Sequence, residues 1–308
     1  MRTSARAPVD SVSIQLNGSR FSVLAEPRDI RLARSLLAAA VARDSYPGLP
    51  RPRAHVIISI APDESHFRAW AGPAVPEWGA AVAFPGAQRI IVQGGGATSA
   101  AGDPIPTLRH ELAHLALHEY LDGLPPRWFD EGYAMYAAGE PIRDDILSTN
   151  VALLMRGVPT LASLDTGLVG GEGQAAVSYA LAYRAVADLA RLDPTHGLSR
   201  LFEYWRASGS LDVAVRRAYG EPLDSFEAGW RRQIRHRYGV LAALSDLSFL
   251  TLLFLALVMP LYILRRRRDK RRLDALREAE VAAAQSGGGA VAVSGSAEAT
   301  RSAPERRD

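Results

Sequence analysis

The sequence predicts an α+β body, a small sheet followed by a mainly helical part, and after it one C-terminal transmembrane helix. Three observations carry this reading. Short apolar or alternating runs separated by turn residues fill the chain up to residue 93. Helical periodicity takes over after Gly94-Gly95-Gly96. Residues 247–264 (LSFLTLLFLALVMPLYIL) hold 18 positions without a charge, enough at about 1.5 Å per residue to cross a hydrocarbon core. The 308 residues are 48% hydrophobic and 22% charged, which allows a sizeable core and excludes a wholly disordered chain. The chain has no cysteine, so disulfide scaffolds, thiolate nucleophiles and cysteine-ligated metals are excluded.

The elements follow in order. Residues 11–24 (SVSIQLNGSRFSVL) read as a β-hairpin turning at Asn17-Gly18. Residues 29–43 are helical, with Ile30, Ala33, Leu37 and Val41 sharing one side and Leu36 flanking them. Residues 55–60 (HVIISI) read as a buried strand and residues 64–70 as a short helix. Residues 78–84 and 89–93 read as two strands joined by a Pro85-Gly86 turn. The glycine run after them is a connector. No Lys-Ser/Thr follows it, so it is not a phosphate loop. Residues 1–103 thus form an N-terminal α+β part, and residues 104–238 a helical part of the same domain.

The chemistry sits in the first of these later helices. Asp103 is placed to cap it, with Pro104 at its first position. His110-Glu111-Leu112-Ala113-His114 follows. Histidines four apart lie one turn apart on one face, so both imidazoles can grip one metal ion. Glu111 projects beside them, where it can take a proton from a metal-bound water. The next helix carries Trp128-Phe129-Asp130-Glu131-Gly132-Tyr133-Ala134. Glu131, one turn in, can supply the third ligand, and Gly132 and Ala134 leave room for a close neighbour. Two histidines and one glutamate leave a fourth position open, the arrangement of a catalytic zinc. Asp130 can either orient a zinc histidine or face the helix dipole. His118 reads first as a polar surface histidine, with a supporting role behind the metal ligands as the alternative.

HELAH followed by WFDEGYA resembles the gluzincin zinc metallopeptidases, and within them the bacterial peptidase MA-like domains. The resemblance spans roughly residues 51–237 and is strongest over 107–138. Sixteen residues stand between His114 and Glu131, slightly short for the clan. The resemblance implies one zinc held by His110, His114 and Glu131, with Glu111 as general base and acid. It also implies that the strand at 78–84 pairs with extended substrate, and that a tyrosine helps to hold the oxyanion, Tyr179 before Tyr183. Metzincins are excluded, because Leu117 and Tyr120 stand where their glycine and third histidine belong. No GxSxG elbow occurs. The function so implied is a membrane-anchored zinc peptidase acting on peptide or protein substrates. The alternative is a non-catalytic, membrane-anchored zinc-binding module, which would have no use for the base Glu111. An intramembrane zinc protease does not fit, since residues 109–121 carry too many charges for lipid.

Charge is unevenly placed. The net +3 divides into +4 for residues 265–308, with 11 basic and 7 acidic residues, and −1 for residues 1–264, with 25 and 26. The body therefore has no electrostatic footprint for nucleic acid. RRRRDKRR follows the apolar stretch at residues 265–272. Within fifteen residues of the span, 8 basic residues follow it and 3 precede it, which orients the tail to the cytoplasm and the body outside. Residues 1–20 show no signal-peptide pattern, so this orientation expects an upstream start or a removed leader, while a tail anchor would leave the body in the cytoplasm. Residues 269–285 read as an exposed, charge-laced helix, and the small, polar remainder as disordered.

Overall fold

The computed structural model describes residues 14–72, 80–94, 103–140 and 157–287. It divides into two compact units, Met1–Leu244 and Ser245–Asp308.

The first unit opens with a five-stranded mixed sheet: β1 (Ile14–Gly18), β2 (Phe21–Ala25), β3 (Val56–Ala61), β4 (Ala81–Phe84) and β5 (Arg89–Gln93), in the order β1-β2-β3-β5-β4. The central pairings β2–β3 and β3–β5 are parallel, while β1–β2 and β4–β5 are antiparallel. Period-two alternation sends Val56, Ile58 and Ile60 of β3 and Ile90 and Val92 of β5 into the main core. That core is shared with α1 (Ile30–Ala42) and α3 (Pro104–Leu121). Ile91 points to the other face, where α2 (Glu64–Ala71) packs Phe67 and Ala71 against it. β4 is the edge strand nearest α3 in the pattern of contacts. Of the strand expected at 78–84, residues 78 and 79 lie outside the described residues.

Two expectations need correction. The hairpin turns at Ser19-Arg20, not at Asn17-Gly18, because Gly18 still pairs with Phe21. Gly18 is instead where α1 approaches the strand: a Cβ there would lie 3.3 Å from both Leu37 Cδ1 and Val41 Cγ2. The buried stripe of α1 is Ala33, Leu36 and Ala40, so Leu36 is central and Val41 is exposed.

The helical half follows with α4 (Arg127–Ala138), α5 (Leu161–Gly167), α6 (Glu172–Leu192), α7 (Ser199–Ser208) and α8 (Leu211–Tyr219). Behind α4 an aromatic cluster fills the core. Phe129 packs edge-on against Trp205 at 4.9 Å between centroids, and Tyr133 against Phe202 at 5.3 Å. The last helix, α9 (Leu223–Gly287), contributes Phe226, Trp230, Ile234 and Tyr238 to this core.

The second unit is the remainder of α9. Where the sequence suggested a body helix ending near residue 237, a span and a tail helix, the backbone is one helix, and Pro260 lies inside it. Among the described residues no helix is long and apolar enough to cross a membrane. The side chains at residues 247–250 and 253 of the expected span lie outside those described, as do residues 288–308.

Candidate metal centre

Local chemistry sets each helix of the site. Asp103 Oδ1 accepts the Ile105 N–H at 3.0 Å, so α3 starts at its expected cap with Pro104 behind it. Leu108, Leu112, Leu115, Ala116 and Leu117 are buried, which fixes the rotation of α3 and turns His110, Glu111 and His114 away from the sheet core. Arg109 clamps the helix, donating to Ala137 O at 3.0 Å and Ser45 O at 2.6 Å, and also to Arg43 O. At the start of α4, Asp165 Oδ1 accepts the Trp128 N–H at 2.6 Å. Arg109 meets the end of α4 while His114 meets its beginning, so the two helices run antiparallel.

That pairing brings three donors together. One ligand atom each from His110, His114 and Glu131 lies within 4.8 Å of the others. Glu131 Oε2 is 3.5 Å from His110 Nε2 and 3.7 Å from His114 Nε2. The far nitrogen of each ring is also held. His110 Nδ1 is 3.0 Å from Glu140 Oε1, and His114 Nδ1 is 2.6 Å from Asp130 Oδ1. A neutral ring that donates its Nδ1–H to its carboxylate carries its lone pair on Nε2, the nitrogen nearer Glu131. This donor set, two imidazoles with carboxylate backing and one carboxylate, fits a zinc ion.

The field of the site favours a cation. Burial disfavours the charged form of both histidines, yet Glu131 and Glu140 around His110, and Asp130 and Glu131 around His114, raise both well above the ordinary imidazole value. Burial would raise the Asp130 and Glu131 carboxyls, but the histidines hold both below the usual range. Glu111 differs. Burial dominates and raises it, against His110, His114 and a hydrogen bond from the Ala83 N–H of β4. Gln93 donates to Ala80 O. By antiparallel alternation from that pair, the backbone groups of Ala81 and Ala83 face the free edge of the sheet. The base is thus seated against the edge strand.

The tyrosines separate. Tyr179 of α6 is raised by burial first, then by Glu131 against Arg127, with Glu111 and Glu140 adding to it. It stands in the field of the cluster. Tyr183 packs edge-on against Tyr136 at 6.2 Å and is raised by burial first, then by Tyr136 against Arg191 and Arg184, with Glu140 adding to it. Gly132 lets α6 come this close: a Cβ there would sit 2.4 Å from Ala182 O.

Sequence reasoning missed two residues. His118 is not a surface histidine. Its side chain is 9% exposed and its Nε2 lies 2.7 Å from Asp130 Oδ2, so Asp130 bridges His114 and His118. This second trio, His114, His118 and Asp130, also groups within metal-ligand reach. Its four-residue continuation of the row from His114 was the available signal. Glu140 left none, because it reaches His110 only through the reversal at Gly139, which has φ 74°.

A peptidase-like fold with a possible metal site is the class that these helices and their side chains define. The chain belongs to the Peptidase MA superfamily, whose family model matches residues 72–236. The match begins after α2 and takes in β4, β5 and the whole cluster. None of the curated proteins matches the chain.

Proposed function

We propose that the protein is a membrane-anchored, zinc-dependent peptidase. The observation that carries this is the convergence of His110, His114 and Glu131, with both imidazoles backed by carboxylates, beside a half-buried Glu111 that has no place in that ligand set. Zinc bound there would act as a Lewis acid on a carbonyl and acidify a water. Glu111, raised by burial, is the stronger base for it. It takes a proton from the attacking water and returns it to the leaving amine nitrogen. Tyr179, which burial keeps protonated, can donate to the developing oxyanion. The outward backbone groups of Ala81 can pair with an extended substrate as an added strand.

Membrane anchoring through residues 247–264 rests on a second observation. Every described side chain from 251 to 264 is exposed, Leu252, Phe254, Leu257 and Leu261 among them. A helix apolar all round and uncovered by protein suits lipid, and Pro260 within it is tolerated there. The arginine-rich stretch at 265–272 supports a cytoplasmic tail and an outer body. A reporter fused after residue 308 should then score cytoplasmic, and an externally added protease should reach the body. A C-terminus reading as external would invert this topology.

The catalytic reading is tested by Glu111→Gln. Gln is nearly isosteric and cannot accept the proton, so zinc content should stay at about one per chain while hydrolysis drops at least about a hundredfold. Tyr179→Phe should cost less, mainly in turnover. Zinc-loaded parent protein that cleaves nothing across broad peptide and protein libraries would sink the peptidase reading in favour of a binding module.

A further inference from the structure

On the far side of α3 from His110 and His114, Glu119 and Tyr120 line a cavity of about 580 Å³ together with Arg51, Arg53 and Arg206. Its polar groups are unevenly satisfied. Glu119 Oε1 accepts the backbone N–H groups of Arg53 at 2.8 Å and Ala54 at 3.2 Å. Glu119 Oε2 is buried and has no hydrogen-bond partner among the described residues, a costly state for a carboxylate oxygen. Arg51 is tied to Asp44 at 3.3 Å. Arg206 instead lies over the Tyr120 ring, 4.9 Å from its centroid. Neither the Arg53 nor the Arg206 guanidinium has a carboxylate within ion-pair distance among the described residues, though salt bridges engage many other arginines of the body. The cavity is therefore walled by two cations without a carboxylate partner and by a glutamate with one unmet oxygen, and its volume is that of a small-molecule site.

We propose that this cavity binds a carboxylate bearing an N–H donor on the adjacent carbon. The carboxylate would meet Arg206 and Arg53 in charge-assisted hydrogen bonds, and the N–H would satisfy Glu119 Oε2. A free α-amino acid and the last residue of a peptide carry both groups, an anion and an N–H donor on the adjacent carbon, so one such ligand can meet both needs. The site is separate from the metal centre: residues 116, 119 and 120 fall on the face of α3 opposite residues 110, 111 and 114. It does not depend on the peptidase reading.

The test uses the purified full chain, stripped of metal and freed of chelator so that no hydrolysis intervenes. Calorimetry would compare alanine, N-acetyl-dialanine, its C-terminal amide and inorganic phosphate. At least one of the two free acids should bind with a dissociation constant at or below about 1 mM, and the amide at least about tenfold more weakly. The tighter of the two acids tells a free amino acid from a peptide terminus. Arg206→Ala and Arg53→Ala should each weaken binding about tenfold or more. Glu119→Gln is the sharper variant. It keeps an oxygen for the Arg53 and Ala54 N–H groups, so the fold should melt unchanged, but it turns an amide donor toward the ligand's N–H and should also lose about tenfold. Acid and amide binding alike, no acid binding up to about 10 mM, or phosphate matching the acids with no response to Glu119→Gln would overturn the proposal.

Discussion

Gly132 and Gly18 solve the same packing problem in the two halves of the body, against neighbours of opposite stiffness. At Gly132 the missing Cβ admits the backbone of α6, whose Ala182 O would be 2.4 Å away. At Gly18 it admits the tips of Leu37 and Val41 at 3.3 Å. The first contact sets the distance between the helix that carries Asp130 and Glu131 and the helix that carries Tyr179. The second joins a hairpin to α1 and holds no residue of the cluster. Rigidity is thus concentrated where side chains from different helices must meet within a few tenths of an ångström. The more adaptable contact lies where only burial is required.

The largest effects should come from the rigid half. Asp130→Asn and Glu140→Gln leave the three proposed zinc ligands in place but weaken what fixes each imidazole, so each should lower zinc affinity about 10- to 100-fold. Competition with a chromogenic chelator measures this directly. Unchanged affinity in both variants would mean that α3 alone orients the rings. His110→Ala, His114→Ala or Glu131→Ala should go further and remove most of the zinc, and full occupancy in Glu131→Ala would exclude Glu131 from the site.

A pH dependence follows from the same carboxylates. The two histidine pKa values are raised above their ordinary 6.5 in the metal-free fold. Their contribution to its stability is fully present below about 6.5 and is lost as pH rises through the raised values. Metal-free protein should therefore melt at lower temperature as the pH moves upward from neutrality, while the zinc-loaded form, whose imidazoles are held neutral, should not share that loss. Zinc uptake near pH 7 should release up to about two protons per ion. Zinc uptake with no proton release would contradict protonated imidazoles in the metal-free site.

The parts of this site that were legible in the sequence are those set by spacing along one helix or by a helix-opening signal. His110, Glu111 and His114 share a face because of the helical repeat, and Asp103 and Pro104 start α3 where their chemistry requires. Glu131 could be placed because a short loop obliges α4 to return along α3. Glu140 could not, since its approach depends on how far α4 runs before Gly139 reverses the chain. The partnership of Asp130 with His118 was hidden for a related reason: the row continuing from His114 was visible, but not the depth at which α4 covers it. In the sheet, the strands were legible from apolar or alternating runs, and β3 was legible as a buried one. The turn at Ser19-Arg20 was not, because Asn17-Gly18 carries a turn signal while Gly18 is needed for α1. The same confusion between a glycine for a turn and a glycine for an approach did not arise at Gly132, which sits in a helix where a turn has no place.

The last prediction sets those two glycines against each other. Gly132→Ala places a methyl inside the Ala182 carbonyl, where the nearest atoms are backbone O and C at 2.4 and 2.6 Å and cannot rotate away. Helix α6 must move, so a loss of about 1–3 kcal/mol or more is expected, well beyond any gain in helix propensity. Because α6 carries Tyr179, turnover should fall by more than zinc content does. Gly18→Ala meets only Leu37 Cδ1 and Val41 Cγ2, and Val41 is partly in solvent, so both can yield by a few tenths of an ångström. The strained neighbours there are offset by the lower entropy of the unfolded chain, and the net change should stay within about 1 kcal/mol. Chemical denaturation of the two variants reads the difference. Equal losses would mean that the α4–α6 contact is no stiffer than the hairpin, and the placement of Tyr179 against the cluster would then need another cause.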